Sequence, residues 1–543
     1  MTSPLIQDIA SYNGNDLRRE GKSKKSSSRE CGKTMRLGTL LRRAGLDSYL
    51  KGIDANPLVS GISDNSRHVL PGDLFVAIKG ENSDGHRFLS DAVLCRASTL
   101  VVQDEIPGFP GVAMIRVPDT RVALAHIAHA FYGFPTKDKL VCGVTGTNGK
   151  TTTTYLLRSC LEAGGVPSAL MGTIEYDLGS LKIKANNTTP SALQLARYFH
   201  QMTQNHLSAA VMEVSSHSVV QKRILDINFR IGIFTNLTQD HLDYHENMES
   251  YRQAKWRFFE DYILKNPEGV GVFNLDDETG RWFADLSKGC KWTYGMQSFA
   301  DVFPEDYSLR PSRTRALLNA RGEKIEIASA LPGRFNIMNI LAATAGALAA
   351  GLPLKTIADG IARLKSVPGR FELIRMGQPF SVVVDYAHTP DALERLLASA
   401  CDFNPPRIIT VFGCGGNRDR DKRPKMASTV ARSMMRNSVD YAILTNDNPR
   451  MENPGDIARE AEGGFAGFSD FSKRYEIIMD RRMAIRRALS MAQEGDVVLI
   501  AGKGHEDYQV MGSEILRFDD RETAREILDE LGYFDNYANQ GEE

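Results

Sequence analysis

From residue 139 onward the chain alternates short unbroken apolar runs with longer segments in which apolar residues recur every three to four positions. Residues 140–144, 209–214, 231–236 and 271–274 are the first set of runs. They are apolar apart from polar residues at or near their C-terminal ends, so they read as strands buried on both faces, with helices between them. Strands in that alternation predict a parallel sheet covered on both sides. A second set, at 381–385, 407–412, 441–445 and 497–501, repeats the pattern. Residues 36–138 carry shorter runs, at 73–78 and 98–102, broken by Gly and Pro. The expected architecture is α/β in three domains: a small N-terminal α/β domain at 36–138, a central parallel-sheet domain at 139–367 and a Rossmann-like C-terminal domain at 368–543. Two sheets whose loops face one cleft predict a substrate enclosed between domains.

The turn after the first central strand reads Gly143-Val-Thr-Gly146-Thr147-Asn148-Gly149-Lys150-Thr151-Thr152, followed by a helical segment at 153–163. Strand, glycine-rich turn, then helix makes a phosphate cradle: the glycines let successive amides point at one anion, and the helix N-terminus adds partial positive charge. Lys150 is expected on the outer phosphates and the Thr151 and Thr152 hydroxyls near the accompanying magnesium, so ATP is the expected nucleotide. Gly146, Thr147, Asn148 and Gly149 complete the loop.

With 543 residues, 42% hydrophobic, 24% charged and a net charge of −1, the chain carries no electrostatic bias toward nucleic acid or a membrane surface. The longest apolar stretch, 340–354, falls short of the ~20 residues of a membrane span and predicts a buried helix and its end. Seven scattered cysteines without CxxC pairing fit reduced thiols in the cytoplasm and imply no zinc site. Residues 1–35 contain a Lys/Ser tract and are expected to be a disordered extension. Asp8, Asp16, Glu20 and Glu30 argue against a transit peptide, and Met35 is a candidate start.

Two more strand ends supply metal-binding groups, Glu213 and, after Thr235-Asn236-Leu237, the segment Asp240-His241-Leu242-Asp243-Tyr244-His245. A carboxylate and an imidazole beside a phosphate loop suit a magnesium-triphosphate site.

These strings together resemble the Mur ligase family of peptidoglycan synthesis. The resemblance adds Asn187-Thr188-Thr189-Pro190, Glu213-Val-Ser-Ser-His217, Tyr251-Arg-Gln-Ala-Lys255, Gly333-Arg-Phe-Asn336, Asp385-Tyr-Ala-His388-Thr-Pro390 and Gly413-Cys-Gly-Gly-Asn417-Arg418-Asp419, in order over residues 36–530. It implies an ATP-dependent amide ligase acting through an acyl phosphate, with two magnesium ions and a carbamylated Lys255. Glu213, His241, Thr151 and the Lys255 carbamate would be the metal ligands. Lys150, Lys255, His241 and Glu213 would carry the chemistry. Read from its residues alone, without the resemblance, Lys255 is an ordinary solvated lysine on a helix at 251–259. Asn336 and His388 match nucleotide contacts, although each also suits a capping or core role.

Within the family, Asp447-Asn448-Pro449-Arg450 resembles the signature of members that add meso-diaminopimelate. A guanidinium there offers a bidentate fork to the distal carboxylate that lysine lacks. The same four residues also suit a turn. Arg423, Gly502 and Glu506 would complete the amino-acid pocket, with Glu506 toward the distal ammonium. The other substrate implied is UDP-N-acetylmuramoyl-L-Ala-D-Glu. Ser66, Glu81, Asn82 and Ser83 would hold its uridine diphosphate end, and Asn187, Thr188, Thr189, Ser215, Gln221 and Arg223 its peptide end. A cytoplasmic monomer is the expected state.

Asn417 stands where many relatives have Asp, and Asn453 interrupts an acidic pair. Both bear on amino-acid selectivity. The competing readings are a lysine-adding relative, a folylpolyglutamate synthetase, and a non-catalytic Mur-like structural protein of a plastid complex. The Asn-Thr-Thr-Pro segment and Arg450 stand against the first two, and the intact set Lys150, Glu213, His241 and Lys255 against the third.

Overall fold

A computed structural model describes residues 34–50, 55–80, 83–240, 242–311, 313–468 and 474–534. The expected extension therefore lies outside the described residues except for Thr34 and Met35, and so do Glu81, Asn82 and His241.

Five sheets organise the described residues. Gly61–Ser63, Asp73–Val76, Thr99–Val102 and Ala113–Arg116 form a four-stranded parallel sheet in that order. Met35–Arg36 pairs with Leu58–Val59 beside it. The apolar core of this region includes Leu193 and Ala196 of the helix Ala192–Gln204, so it continues into the next part of the chain. That helix starts from a capping box made by Ser191 and Gln194.

The central sheet has eleven strands. Its parallel heart runs, in spatial order, Ser168–Met171, Ala209–Glu213, Leu140–Thr145, Phe229–Phe234, Val270–Asn274 and Cys290–Tyr294. On one face Leu156, Leu157 and Cys160 of the helix Lys150–Ala163 pack with Ile337, Ile340 and Leu341 of the helix Arg334–Ala349. On the other face lie Phe199, Trp256, Phe258 and Phe283. Helix Arg334–Ala349 is apolar nearly all round, as a helix enclosed between sheet and neighbours requires.

Antiparallel strands extend this sheet at both edges, which the sequence reading did not anticipate. Glu175–Asp177 and Lys182–Lys184 form a hairpin on one side, and Val302–Arg310, Arg313–Ala320 and Glu323–Ser329 a meander on the other. Their residues alternate exposed charge with buried apolar groups, so no unbroken apolar run marks them.

The third sheet orders Glu372–Ile374, Ser381–Asp385, Val497–Ala501, Ile408–Cys414, Tyr441–Asn446 and Tyr475–Ile477, parallel except for the first strand. A hairpin, Tyr508–Met511 with Glu514–Arg517, stands apart from it. The α/β class with mixed and parallel sheets agrees with the expectation.

Candidate active site

Because Leu140–Thr145 lies between Ala209–Glu213 and Phe229–Phe234, three strand ends converge: the glycine turn, Glu213 and Thr235. Gly146 and Gly149 have φ of 146° and 87°, and a Cβ at Gly149 would lie 2.4 Å from Asn339 Oδ1. Both positions need glycine for conformation and for space. Helix Lys150–Ala163 starts at once, its N-terminus aimed into a cavity of about 550 Å³. Thr147, Asn148, Lys150, Thr151, Thr152 and Glu213 line it.

Lys150 Nζ donates to the carbonyls of Gly146 and Thr147 at 3.0 and 2.8 Å. Enclosure in the cavity pushes its pKa down, partly opposed by Glu213 and Asp240. Glu213 is 1% exposed, and its carboxylate accepts from Thr151 Oγ1 at 2.9 Å, Thr173 N at 2.8 Å and Thr173 Oγ1 at 3.1 Å. Among the described residues no cationic side chain pairs with it. A buried carboxylate whose neighbours are hydroxyls and an amide is a hard-oxygen donor set of the kind that suits magnesium.

Lys255, on the helix Met248–Phe258, is not the solvated lysine that its residues alone allowed. It is 1% exposed, donates to Gly146 O at 2.9 Å and lies 4.5 Å from the Tyr251 ring centroid. Burial and then the charge of Lys150 push its pKa well down. A lysine with that bias offers a neutral amine, the form that takes up carbon dioxide.

The chain's third part closes the cavity. Asp391 Oδ2, at the start of the helix Pro390–Cys401, accepts from Asn148 Nδ2 at 2.9 Å and from Thr238 Oγ1 at 3.0 Å. Arg370 Nη2 donates to Thr151 Oγ1 at 3.2 Å, and the guanidinium lies 4.6 Å from the Tyr386 ring centroid. Asp385, Tyr386 and His388 line the same cavity, and His388 Nδ1 donates to Tyr386 O at 2.8 Å. Asn336 departs from its expected place. It is 1% exposed, its Nδ2 donates to Pro332 O and its Oδ1 accepts from Asn339 Nδ2. Phe335, Met338 and Asn339 of this helix line the cavity in its place. Sequence reading missed Arg370, Asp391 and Asn339; the string Pro368-Gly-Arg370-Phe-Glu372 sat on its domain boundary.

The expected peptide-binding residues gather beside Glu213. Thr189 Oγ1 donates to Glu213 O at 2.9 Å and lies 3.2 Å from Ser215 Oγ, and Thr188 Oγ1 is 3.2 Å from Thr173 Oγ1. Arg223 donates to Thr189 O and to Gln221 Oε1, and Asn187 O accepts from Tyr176 OH. Ser66 opens a short 3-10 turn in the first region, and Ser83 is described there too.

Asp447–Arg450 is folded against the Gly502–Met511 segment. Gln509 Nε2 donates to Asp447 O at 2.7 Å, Val510 N to Asn448 Oδ1 at 3.0 Å, and Asn448 Nδ2 to Glu506 Oε2 at 3.0 Å. Arg450 has a left-handed φ of 54°, held by its N–H on Val510 O and by Gly512 N on its carbonyl. Strain of that kind at a non-glycine residue marks positions whose surroundings over-determine them. Arg450 Nη1 donates to Gly416 O at 2.7 Å. Burial, then the nearby Arg418, push its pKa down, and Asp447 and Glu506 oppose them.

Arg423 is elsewhere engaged. It is 1% exposed and donates to Glu452 and Glu460 at 2.9 and 2.6 Å, an internal cross-link rather than a free ligand group. Arg418, passed over in the same run, is the cation beside Arg450. The two departures also find structural roles: Asn417, at φ 51°, accepts from Met451 N, and Asn453 caps the helix Pro454–Glu462.

Three sequence profiles match the chain: "Mur ligase family, catalytic domain" at 58–132, "Mur ligase middle domain" at 144–347 and "Mur ligase, glutamate ligase domain" at 369–504. The UDP-N-acetylmuramoyl-L-alanyl-D-glutamate--2,6-diaminopimelate ligase of Geobacillus thermodenitrificans is 43% identical over 500 residues, 91% of this chain and 100% of the relative. That of Solibacter usitatus is 43% identical over 499 residues, covering 92% and 99%. A solved structure of an enzyme of the same name superposes with a TM-score of 0.62 at 32% identity, covering 87% of this chain and 95% of that one.

Proposed function

The chain belongs to the Mur ligase family, and we propose that it joins meso-diaminopimelate to UDP-N-acetylmuramoyl-L-Ala-D-Glu in the cytoplasm, using ATP. The observation that carries the reading is the convergence of Lys150, Glu213, Arg370 and Thr188 on one cavity, with Lys255 held against the Gly146 carbonyl of the phosphate loop. Oxygens of Thr151 and Glu213, with a carbamate on Lys255 and the imidazole of His241, would hold two magnesium ions. Bound there, magnesium would screen the triphosphate and polarise its outer phosphate.

The rest falls to the chain's own side chains. Lys150 leaves the Gly146 and Thr147 carbonyls for the outer phosphates, and Arg370 reaches the same oxygens from the opposite wall. Arg223 and Thr188 orient the D-glutamate carboxylate, whose oxygen attacks the terminal phosphorus as ADP leaves. Arg450 and Arg418 receive the distal carboxylate of the amino acid and Glu506 its distal ammonium, which leaves the other amine toward the acyl phosphate. That amine attacks the acyl carbon, the tetrahedral adduct loses phosphate and a proton, and an amide remains. Negative charge builds on oxygens in both steps, so fixed cations supply most of the rate.

The test is ATP turnover by purified protein with the muramoyl dipeptide, comparing meso-diaminopimelate with L-lysine. Turnover confined to meso-diaminopimelate supports the reading, preference for lysine would replace the amino acid, and phosphate release with neither would leave a non-catalytic family member.

A further inference from the structure

Lys503 takes no part in the chemistry above, yet it is one of the most deeply buried charged groups of the chain. Its side chain is 0% exposed, and Nζ lies 3.1 Å from Asn448 Oδ1, 3.5 Å from Asp447 Oδ1 and 3.6 Å from Glu506 Oε2. The Tyr508 ring centroid is 5.6 Å away. Every oxygen it meets belongs to a residue assigned to the amino-acid pocket. A group without solvent exposure does not reach a substrate, so it acts through those neighbours.

Glu506 has two distinct oxygens. Oε2 is held by Asn448 Nδ2 and faces Lys503, whereas Oε1 has no hydrogen-bond donor among the described residues. The groups around it are Asp447 and Arg450 on the facing segment, Tyr386 at a strand end, Tyr508 on the hairpin, Arg481 on the helix Arg481–Met491, and Lys503 on its own loop. Burial, then Asp447, push the Glu506 pKa up, and Lys503 opposes them. The nearby Asp447 carboxylate repels that of Glu506 and favours the neutral form of Glu506.

We propose that Lys503 is a positioning residue for the amino-acid substrate: its buried ammonium bridges Asp447, Asn448 and Glu506 and turns the free oxygen of Glu506 to the distal ammonium of the incoming amino acid. The inference rests on the assignment of 447–450 and 502–506 to that amino acid.

The experiment compares wild type with Lys503→Met and Lys503→Gln by steady-state kinetics from about pH 6 to about pH 9.5. KM for meso-diaminopimelate should rise about tenfold or more, the scale of a lost charge-assisted contact, with kcat and the KM for ATP little changed. The acid limb of kcat/KM for the amino acid should move to higher pH, because Glu506 then protonates more readily. In Lys503→Met/Asp447→Asn that limb should move back, since the repelling carboxylate is gone. A merely structural lysine would leave the limb in place. Unchanged KM and pH profile in both single variants would overturn the lysine's role while leaving the pocket assignment intact. Failure of both variants to fold would also overturn it, by making the lysine a requirement of the fold. Wild type indifferent to which amino acid is supplied would overturn the assignment and the inference with it.

Discussion

Arg370 reaches across the cavity to the phosphate-loop threonine, its Nη2 donating to Thr151 Oγ1 at 3.2 Å although 219 positions separate the two. One cation therefore belongs to the nucleotide site only while the third part of the chain is folded over it.

Arg370→Ala should lower kcat by about a hundredfold or more, as loss of one preorganised charge-stabilising group does, while the folded content by circular dichroism stays unchanged. Arg370→Lys should recover part of the loss. Wild-type kcat in Arg370→Ala would remove the residue from the phosphoryl-transfer site.

Lys255 should become carbamylated in bicarbonate, because its lowered pKa leaves an amine free to attack carbon dioxide. Protein equilibrated with carbon-13 bicarbonate and magnesium should show a carbamate carbon resonance that is missing from Lys255→Ala. Activity of that variant should be partly restored by a short free carboxylate. Absence of the resonance in active wild-type protein would rule the modification out.

Arg450 and Arg423 should separate cleanly. Arg450→Ala removes a contact worth ~1.5–3 kcal/mol, so the meso-diaminopimelate to lysine ratio of kcat/KM should fall about tenfold to a hundredfold. Arg423→Ala takes the buried guanidinium from between Glu452 and Glu460, leaving Glu460 to Arg420 and Glu452 to the Asn417 N–H, so it should lower Tm and leave the ratio nearly as it was. The reverse pattern would restore Arg423 as the ligand group.

His126 Nδ1 lies 2.6 Å from Asp226 Oδ2, joining the helix Thr120–Tyr132 to the central part of the chain. The hydrogen bond to Asp226 raises the His126 pKa above 6.5. A raised folded value means that the stabilisation is complete below about pH 6.5 and is lost as pH climbs through the folded value. The Tm difference between wild type and Asp226→Asn should thus be largest near pH 6 and vanish by about pH 9. A difference independent of pH would mean that the contact is not ionic.

The parts legible in the sequence share a physical cause. Parallel strands enclosed on both faces must be apolar without interruption, and the phosphate turn must carry glycine where φ is positive, so both leave local marks. The meander Val302–Ser329 left none of that kind, because its outer face is solvated and charged at Arg313, Arg315 and Glu326. Asp391 and Lys503 matter through partners 243 and 55 positions away, a relation no local pattern encodes. Arg418 and Arg423 look alike in sequence. The helix Lys422–Met434 turns Arg423 inward against Glu452 and Glu460, and only the fold tells them apart.

The hydrogen bond from Asn148 to Asp391 has a kinetic meaning as well. It ties the phosphate loop to the helix Pro390–Cys401 on the far wall of the cavity, so the contacts that would surround a nucleotide span two parts of the chain. Release of ADP and entry of ATP are expected to part that bond and the Arg370 contact. Were each cycle to open and close the chain about the segment that bears Arg370, the frequency of that motion would be a ceiling on turnover that no improvement in the chemistry would lift.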